Sequence, residues 1–500
     1  MKNLLGKLWV TYVIWGFIFL LLLIYKINLL SHFGFVYTDI DQVLMWNGAI
    51  DYSKGIFHEP FFYGQAYNFM LEAFLAVPLL WGGMLVYEAL PTVSTFLSVL
   101  PLVFLSVFLL RKKHFFWATL CLVFPLLLPI EYSLLTAMPR GFLQAHLFFP
   151  LLFAPLLWPQ YKHSISLLYL ASALCIIANE SAFLLVVPVF FYVGLKHYKT
   201  VSFYWKALWM TPIFAFDFWA KYFYELHSER IVHSMSGLSL KGETFLQQAS
   251  NTKLFEHLFP FVSGWGIVYP FVFIFLAFWA KHNHKTRVFW FIIVVLLLLT
   301  ISLFVPKIHE VYPNGGLFFT SSRLYLTLPL LLFLGLYLMF KHIQINIYLN
   351  YVLLLTAIVF FVYKTENLTT SIGDVVKNTS FPVIKNKDLI LQINELEKQT
   401  KKHNVDVIVN TIKGRWKYHF ENYAYYPLTQ SQETIAVSQT NDRRYWLYEK
   451  ALKGGRLLLN GIQLDATQRK KYQALDLGNR RSLVFADSTT ASEIIIPRTK

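Results

Sequence analysis

Tyr37-Thr38-Asp39-Ile40-Asp41-Gln42 places two carboxylates two residues apart, directly after the first apolar run of the chain. On an extended backbone, residues i and i+2 share a face, and an irregular loop can also turn both toward one site. A carboxylate pair can hold a divalent cation such as Mg or Mn, or one member can act as a general base. The same spacing also suits an acidic helix cap or a solvated turn. Further polar and aromatic residues follow in Gly55–Asn68, which reads GIFHEPFFYGQAYN. There Pro60 favours an extended residue ahead of it. His58, Glu59, Tyr63, Gln65 and Tyr67 are the side chains of this stretch that could meet a substrate. Flat aromatic faces suit sugar rings and equally suit a membrane interface.

Arginine offers a planar fork of donors matched to phosphate oxygens. Arg140, in Met138-Pro139-Arg140-Gly141, and Arg323, in Ser321-Ser322-Arg323-Leu324, are candidates for an anionic group. Snorkelling to lipid phosphates would account for them as well. His309 and Glu310 stand in the same loop as Arg323 and could line the same cavity.

The elements that must position these residues are apolar. The 500 residues are 56% hydrophobic and 18% aromatic with a mean hydropathy of +0.48, which selects the membrane class. The expected architecture is an α-helical polytopic membrane protein with about 11 transmembrane helices. Spans are expected near 8–30, 92–110, 115–130, 141–158, 164–179, 181–195, 202–223, 261–280, 288–305, 324–340 and 347–363. Segment 69–88, with Glu72 and Pro78, is expected to be a re-entrant or interfacial helix that does not cross. The transmembrane domain is thus 1–363, with a first external loop over 31–91 carrying interfacial helices.

Basic residues cluster in the turns at Arg111–His114, Lys162, Lys196–Lys199, Lys281–Arg287 and Lys341, together with Lys2 and Lys7. Cytoplasmic loops collect Lys and Arg, so the N-terminus is expected inside and Asp39, Asp41 and Glu59 outside. Half of all charged side chains fall in 364–500, which marks a second, extracytoplasmic domain of small α/β type. A helix is expected over Lys387–Lys402 and strands over Val405–Asn410, Thr434–Val437, Arg456–Leu459 and Ser482–Phe485. The net charge of +16 does not indicate nucleic acid, because it is spread over loops and this domain. Cys121 and Cys175, the only cysteines, lie in expected spans and suit packing better than a disulfide or zinc site.

Asp39-Ile40-Asp41 after one span, then Glu59-Pro60 through Tyr67, and a late Ser322-Arg323 before Leu328-Pro329-Leu330, resemble the GT-C superfamily of membrane glycosyltransferases. The likeness is to the bacterial protein-mannosyltransferase and aminoarabinose-transferase type. It covers 1–363 in architecture and only about 37–68 and 320–330 in motif. Where bacterial members often carry Lys-Pro-Pro, this chain has His58-Glu59-Pro60. The resemblance implies inverting sugar transfer from a polyprenyl-phosphate-linked donor to a glycan, lipid or protein acceptor at the outer face of a bacterial inner membrane. It implies Asp39 and Asp41 as catalytic residues, with Asp39 favoured as the base. The phosphate is expected to be held by Arg140 or Arg323. An envelope polysaccharide polymerase or ligase, a transporter and a scaffold are the other classes this composition admits.

Overall fold

The computed structural model describes residues 2–500 except 66–67, 227–238, 250, 252–254, 256, 262–267, 307–324, 344–345, 347, 379–381, 412–415, 440–441 and 497–500. Two compact units emerge. One comprises Met1–Gly34, Thr92–Phe218 and Ser236–Phe381; the other comprises Phe35–Pro91, Trp219–Met235 and Pro382–Lys500.

The first unit is helical and apolar. Among the described residues, five helices are long and apolar enough to cross a membrane: Trp9–Gly34, Val86–Arg111, Glu180–His197, Thr286–Leu303 and Tyr348–Asn378. A sixth results if Phe115–Leu127 and Ile130–Ala137, bent by 88°, form one broken span. Proline explains the bend. Leu128 precedes Pro129 and is extended (φ −68°, ψ 151°), which ends the first helix. Ser164–Ala178, Val268–His282 and Tyr325–Phe340 are apolar but shorter.

Two expected spans are not continuous α-helices. Residues 141–158 break into Gln144–Leu147, Phe149–Leu152 and Ala154–Leu157. Pro150 and Pro155 lack the N–H that a helix interior needs, and each stands in the first turn of a new short helix. The expected span over 202–223 is likewise three pieces, Val201–Trp205, Lys206–Met210 and Thr211–Leu226, the middle one a 3-10 turn.

Packing in this unit follows the apolar faces. Ile14, Ile18, Leu21, Leu22 and Tyr25 of the first helix meet Leu122, Val123, Leu126 and Leu127, with Ala357 of the last helix. The Trp15 indole donates to Ser106 Oγ at 2.7 Å, and Ser106 donates to the Ala118 carbonyl at 2.6 Å, so these two polar side chains are paired between the helices. Cys121 and Cys175 are buried and unbridged, as a packing role requires.

The last long helix runs to Asn378, so the change in composition at 363/364 falls inside it, and the structural division comes at Pro382. The second unit also takes in the first-loop residues. Strand β1 (Tyr37–Asp39) pairs antiparallel with β2 (Val383–Lys385), Asp39 opposite Val383. Beyond it lie β3 (Val407–Asn410), β4 (Ile435–Ser438), β5 (Gly455–Asn460), β6 (Leu475–Gly478) and β7 (Arg481–Ala486). They form one sheet in the order β4-β3-β5-β7-β6. β3 is parallel to β4 and β5, whereas β7 is antiparallel to β5 and β6. Val407, Val409, Val437, Leu457, Leu459 and Val484 build its core with Ile494 and Ile495 of the final helix.

Two first-loop helices, Ile40–Ser53 and Leu71–Trp81, pack on each other, and Ile40–Ser53 also packs on Trp416–Thr429. Leu71–Trp81 rises about 16 Å at 1.5 Å per residue, far short of a ~30 Å hydrocarbon core, so alone it cannot cross.

Candidate functional site

Asp39 is the N-cap of helix Ile40–Ser53. Its backbone is extended (φ −123°, ψ 176°), and its Oδ1 accepts from the Gln42 N–H at 3.0 Å. The side chain is fully buried. One of the four orphan amides of the helix start is thereby satisfied, which is the cap role that the spacing allowed. Asp41 sits in the first turn of the same helix and keeps 21% of its side chain exposed. Its Oδ1 lies 3.4 Å from Arg443 Nη1, and Arg443 is itself half-buried. The two carboxylates therefore do different work: one shapes the helix start, and the other faces an arginine and solvent.

The 55–65 stretch wraps around the end of this helix. The Tyr63 hydroxyl donates to Asp51 Oδ2 at 2.7 Å, and the Gly64 N–H donates to Glu59 Oε1 at 2.8 Å. Both Tyr63 and Glu59 are buried, so in this arrangement they hold the loop, not an open cavity. His58 stacks on Trp446, ring centroids 3.8 Å apart at 12°, and Tyr63 meets the same indole edge-on at 4.7 Å. His58 Nε2 lies 3.8 Å from Asp51 Oδ2. Burial, with Lys450 nearby, pushes the His58 imidazole down to about 4, so at neutral pH this contact is not an ion pair. Burial pushes the Asp51 carboxyl up to about 6 against the pull of Tyr63, Tyr426, Arg444 and Lys54. Gln65 stays half-buried.

Segment 442–446, Asp-Arg-Arg-Tyr-Trp, meets the first loop at three points. Arg443 faces Asp41, Trp446 faces His58, and Arg444 Nη1 donates to Asn47 Oδ1 at 3.1 Å. Arg444 is 1% exposed. It also donates to Asp442 Oδ1 at 3.2 Å and to the Ala436 and Asn422 carbonyls at 2.9 and 3.2 Å. Burial alone would raise the Asp442 carboxyl, but the Arg444 guanidinium and the Asn422 amide outweigh it and hold it below the usual range. Gly64 closes the arrangement. Its φ is +73°, and a Cβ there would fall 2.7 Å from Arg443 Cβ. Only glycine fits at this approach.

Arg443, Arg444, Trp446 and Asp51 carry the centre of this arrangement, and none is a candidate on sequence grounds. An adjacent Arg-Arg followed by Tyr-Trp in an otherwise lysine-rich tail is the signal that points to them. Arg140 lies in the first unit, 4% exposed, with its guanidinium 5.1 Å from the centre of the Phe142 ring. It precedes a turn at Gly141 (φ +77°) that Asn179 holds by donating to the Gly141 and Phe142 carbonyls. Tyr67, His309, Glu310 and Arg323 lie outside the described residues. Of the two roles open to the acidic pair, cation binding finds no third donor: among the described residues no three His, Cys, Asp or Glu side chains are grouped to hold an ion. Asp41 instead faces a guanidinium.

No family model matches the chain, and no curated protein matches it.

Proposed function

We propose that this protein is an inverting glycosyltransferase that moves a sugar from a polyprenyl-phosphate-linked donor to an acceptor hydroxyl. The observation that carries the reading is the Asp41–Arg443 pair, a partly exposed carboxylate 3.4 Å from a guanidinium, on a loop that begins where the first apolar helix ends. In the proposed reaction the acceptor hydroxyl gives its proton to Asp41 as its oxygen bonds to the anomeric carbon. The carbon–oxygen bond to the donor phosphate breaks on the opposite side, and the electron pair leaves with the phosphate. A phosphate with a second pKa of about 6 needs its charge offset more than it needs a proton. A guanidinium supplies that through two parallel hydrogen bonds. Asp41 takes the base role in preference to Asp39, whose Oδ1 already caps a helix out of reach of solvent.

The proposed path has the N-terminus in the cytoplasm, eleven crossings and the 382–500 fold outside, in a bacterial inner membrane. Residues 141–158 are then an irregular crossing. Irregular backbone at membrane depth is tolerated where it is buried in protein, and most of these residues are buried.

The test is transfer from a panel of radiolabelled polyprenyl-phosphate sugars by the protein purified in detergent. Asp41→Asn keeps the shape and removes the proton acceptor, so turnover should fall about 10²–10⁴-fold. Near-normal turnover of Asp41→Asn at normal protein levels would eliminate the base assignment. Failure of the wild type on every donor would eliminate the reaction.

A further inference from the structure

The sheet of the second unit has a feature that transfer chemistry does not use. β3 runs first, β4 adds on one side, and the chain then crosses to add β5 on the other. The strand order thus reverses between β3 and β5. In open sheets with parallel strands, ligands bind outside the carboxyl ends of the strands at such a reversal.

The two strands end on paired asparagines. Asn410 and Asn460 are opposite each other in register, and Asn460 Nδ2 donates to Asn410 Oδ1 at 2.7 Å and to Glu421 Oε2 at 2.5 Å. Arg481 Nε donates to Asn460 Oδ1 at 3.2 Å. Asn460 is thereby saturated, but Asn410 is not. Its Nδ2 has no partner among the described residues, although the residue is 1% exposed. Buried amide donors are rarely left unmade, and an orphan at a strand end beside a cavity suggests a bound molecule that completes it.

That cavity exists. A half-open cleft of about 510 Å³ is lined by Lys417, Tyr418, Asn460, Asn479, Arg480 and Arg481, with Glu395 at its edge. The volume lies within the range of small-molecule sites. Three cations line it. Of the carboxylates near them, Glu395 is 4.0 Å from Arg481, and Glu421 is 3.6 Å from Lys417 but buried, which pushes its carboxyl above the usual range against the pull of Lys417, Asn460 and Arg481. Gly461 (φ +78°) leaves the room that Tyr418 occupies, since a Cβ there would fall 2.3 Å from that ring.

We infer that the carboxyl ends of β3 and β5 form a binding site for a small sugar that carries an anionic group. The cations take the charge, and the Asn479 amide, the Asn410 Nδ2 and the Tyr418 hydroxyl take sugar hydroxyls. The site needs no part of the transfer reaction.

The experiment is isothermal titration of the full-length protein in detergent with glucose 1-phosphate and with glucuronate, against glucose and inorganic phosphate as controls. Arg480 is exposed, so Arg480→Gly should leave the thermal unfolding of the protein unchanged, whereas Lys417→Ala, which takes the cation 3.6 Å from the buried Glu421 Oε1, should lower it while the protein stays folded. Arg480 has φ +59°, which glycine adopts freely. The expected result is binding of both sugar anions, weakened about tenfold or more in each variant, as loss of a hydrogen bond to a charged group implies. Amide exchange over 455–461 should slow on binding. No binding of either anion, equal binding of phosphate alone, or undiminished binding in both variants would overturn the assignment.

Discussion

Asp51→Asn should make the protein more stable at neutral pH and change how its stability responds to acid. Asp51 lies near the end of helix Ile40–Ser53, where burial pushes its carboxyl from 3.8 up to about 6. A raised carboxyl favours the protonated form in the folded state. Its contribution to stability is therefore full below about pH 4 and is lost as pH rises through about 6. The shift corresponds to about 3 kcal/mol at pH 7. Asparagine has the same shape and carries no charge, and its carbonyl can still accept from the Tyr63 hydroxyl. Part of the gain disappears because that hydrogen bond no longer has a charged acceptor, which leaves about 1–3 kcal/mol. His58 acts in the opposite sense. Its imidazole is pushed down to about 4, so its contribution is present above about pH 6.5 and is lost as pH falls through 4. In the wild type the two groups oppose each other over the same window and flatten the profile. In Asp51→Asn the His58 dependence is no longer offset by Asp51. Thermal unfolding followed by tryptophan fluorescence in detergent should thus show a higher Tm for the variant at about pH 7.5, and the advantage should vanish near pH 4. A variant less stable than the wild type at neutral pH, or a difference that ignores pH, would refute the reasoning.

Arg444→Ala should destabilise the protein by about 3–5 kcal/mol, because it leaves Asp442 buried without its cation, and Arg444→Lys should not restore the loss. Denaturant unfolding of the purified protein measures both. Gly64→Ala should cost about 2 kcal/mol or more, since it combines a left-handed φ with a Cβ forced onto Arg443, and the same unfolding measurement checks it. If Arg443 carries the donor phosphate, Arg443→Lys should recover only part of the transfer lost in Arg443→Ala, because an ammonium lacks the two-pronged match; initial rates at saturating acceptor decide this.

Most of what the sequence makes legible is periodic or compositional. Five of the apolar runs become helices long enough to cross a membrane, others form shorter or broken helices, and the expected 387–402 helix is found as Asn386–His403. The four expected strands appear within two residues of their expected ends, because each carries a run of β-branched or aliphatic residues and three of them make up the buried centre of a sheet. What periodicity cannot convey is interruption. Pro150 and Pro155 sit in a largely apolar run and each stands at the start of a new short turn, whereas Pro101 and Pro188 lie inside helices that continue, so a proline in an apolar run does not by itself announce a break. β6 escapes because Leu475–Gly478 is an exposed edge with a single bulky apolar pair and a bulge.

The candidate site was legible by half for a different reason. Asp39 and Asp41 attract notice as a pair, yet two residues of spacing at a helix start put one at the cap and the other in the first turn. The cap is drawn into the backbone and the next acid is left facing outward, so spacing alone cannot say which of the two is available. That is decided by Arg443, which lies 402 positions away in the chain. Sequence separation of that size leaves no local trace. It is bridged because β1 takes β2 as its partner, and Asn386 donates to the Val36 carbonyl at 2.8 Å beside that pairing. A three-residue strand adds little stability of its own, since three backbone pairs are few. The same unit is fixed more firmly by Arg444, whose three guanidinium nitrogens contact a carboxylate, two carbonyls and two amide oxygens, Nη2 sharing its hydrogens among several of them. The arginine that organises the loop and the arginine that faces its carboxylate are thus neighbours in sequence. Rigidity at Arg444 sets the position of Arg443, and through it the environment of Asp41.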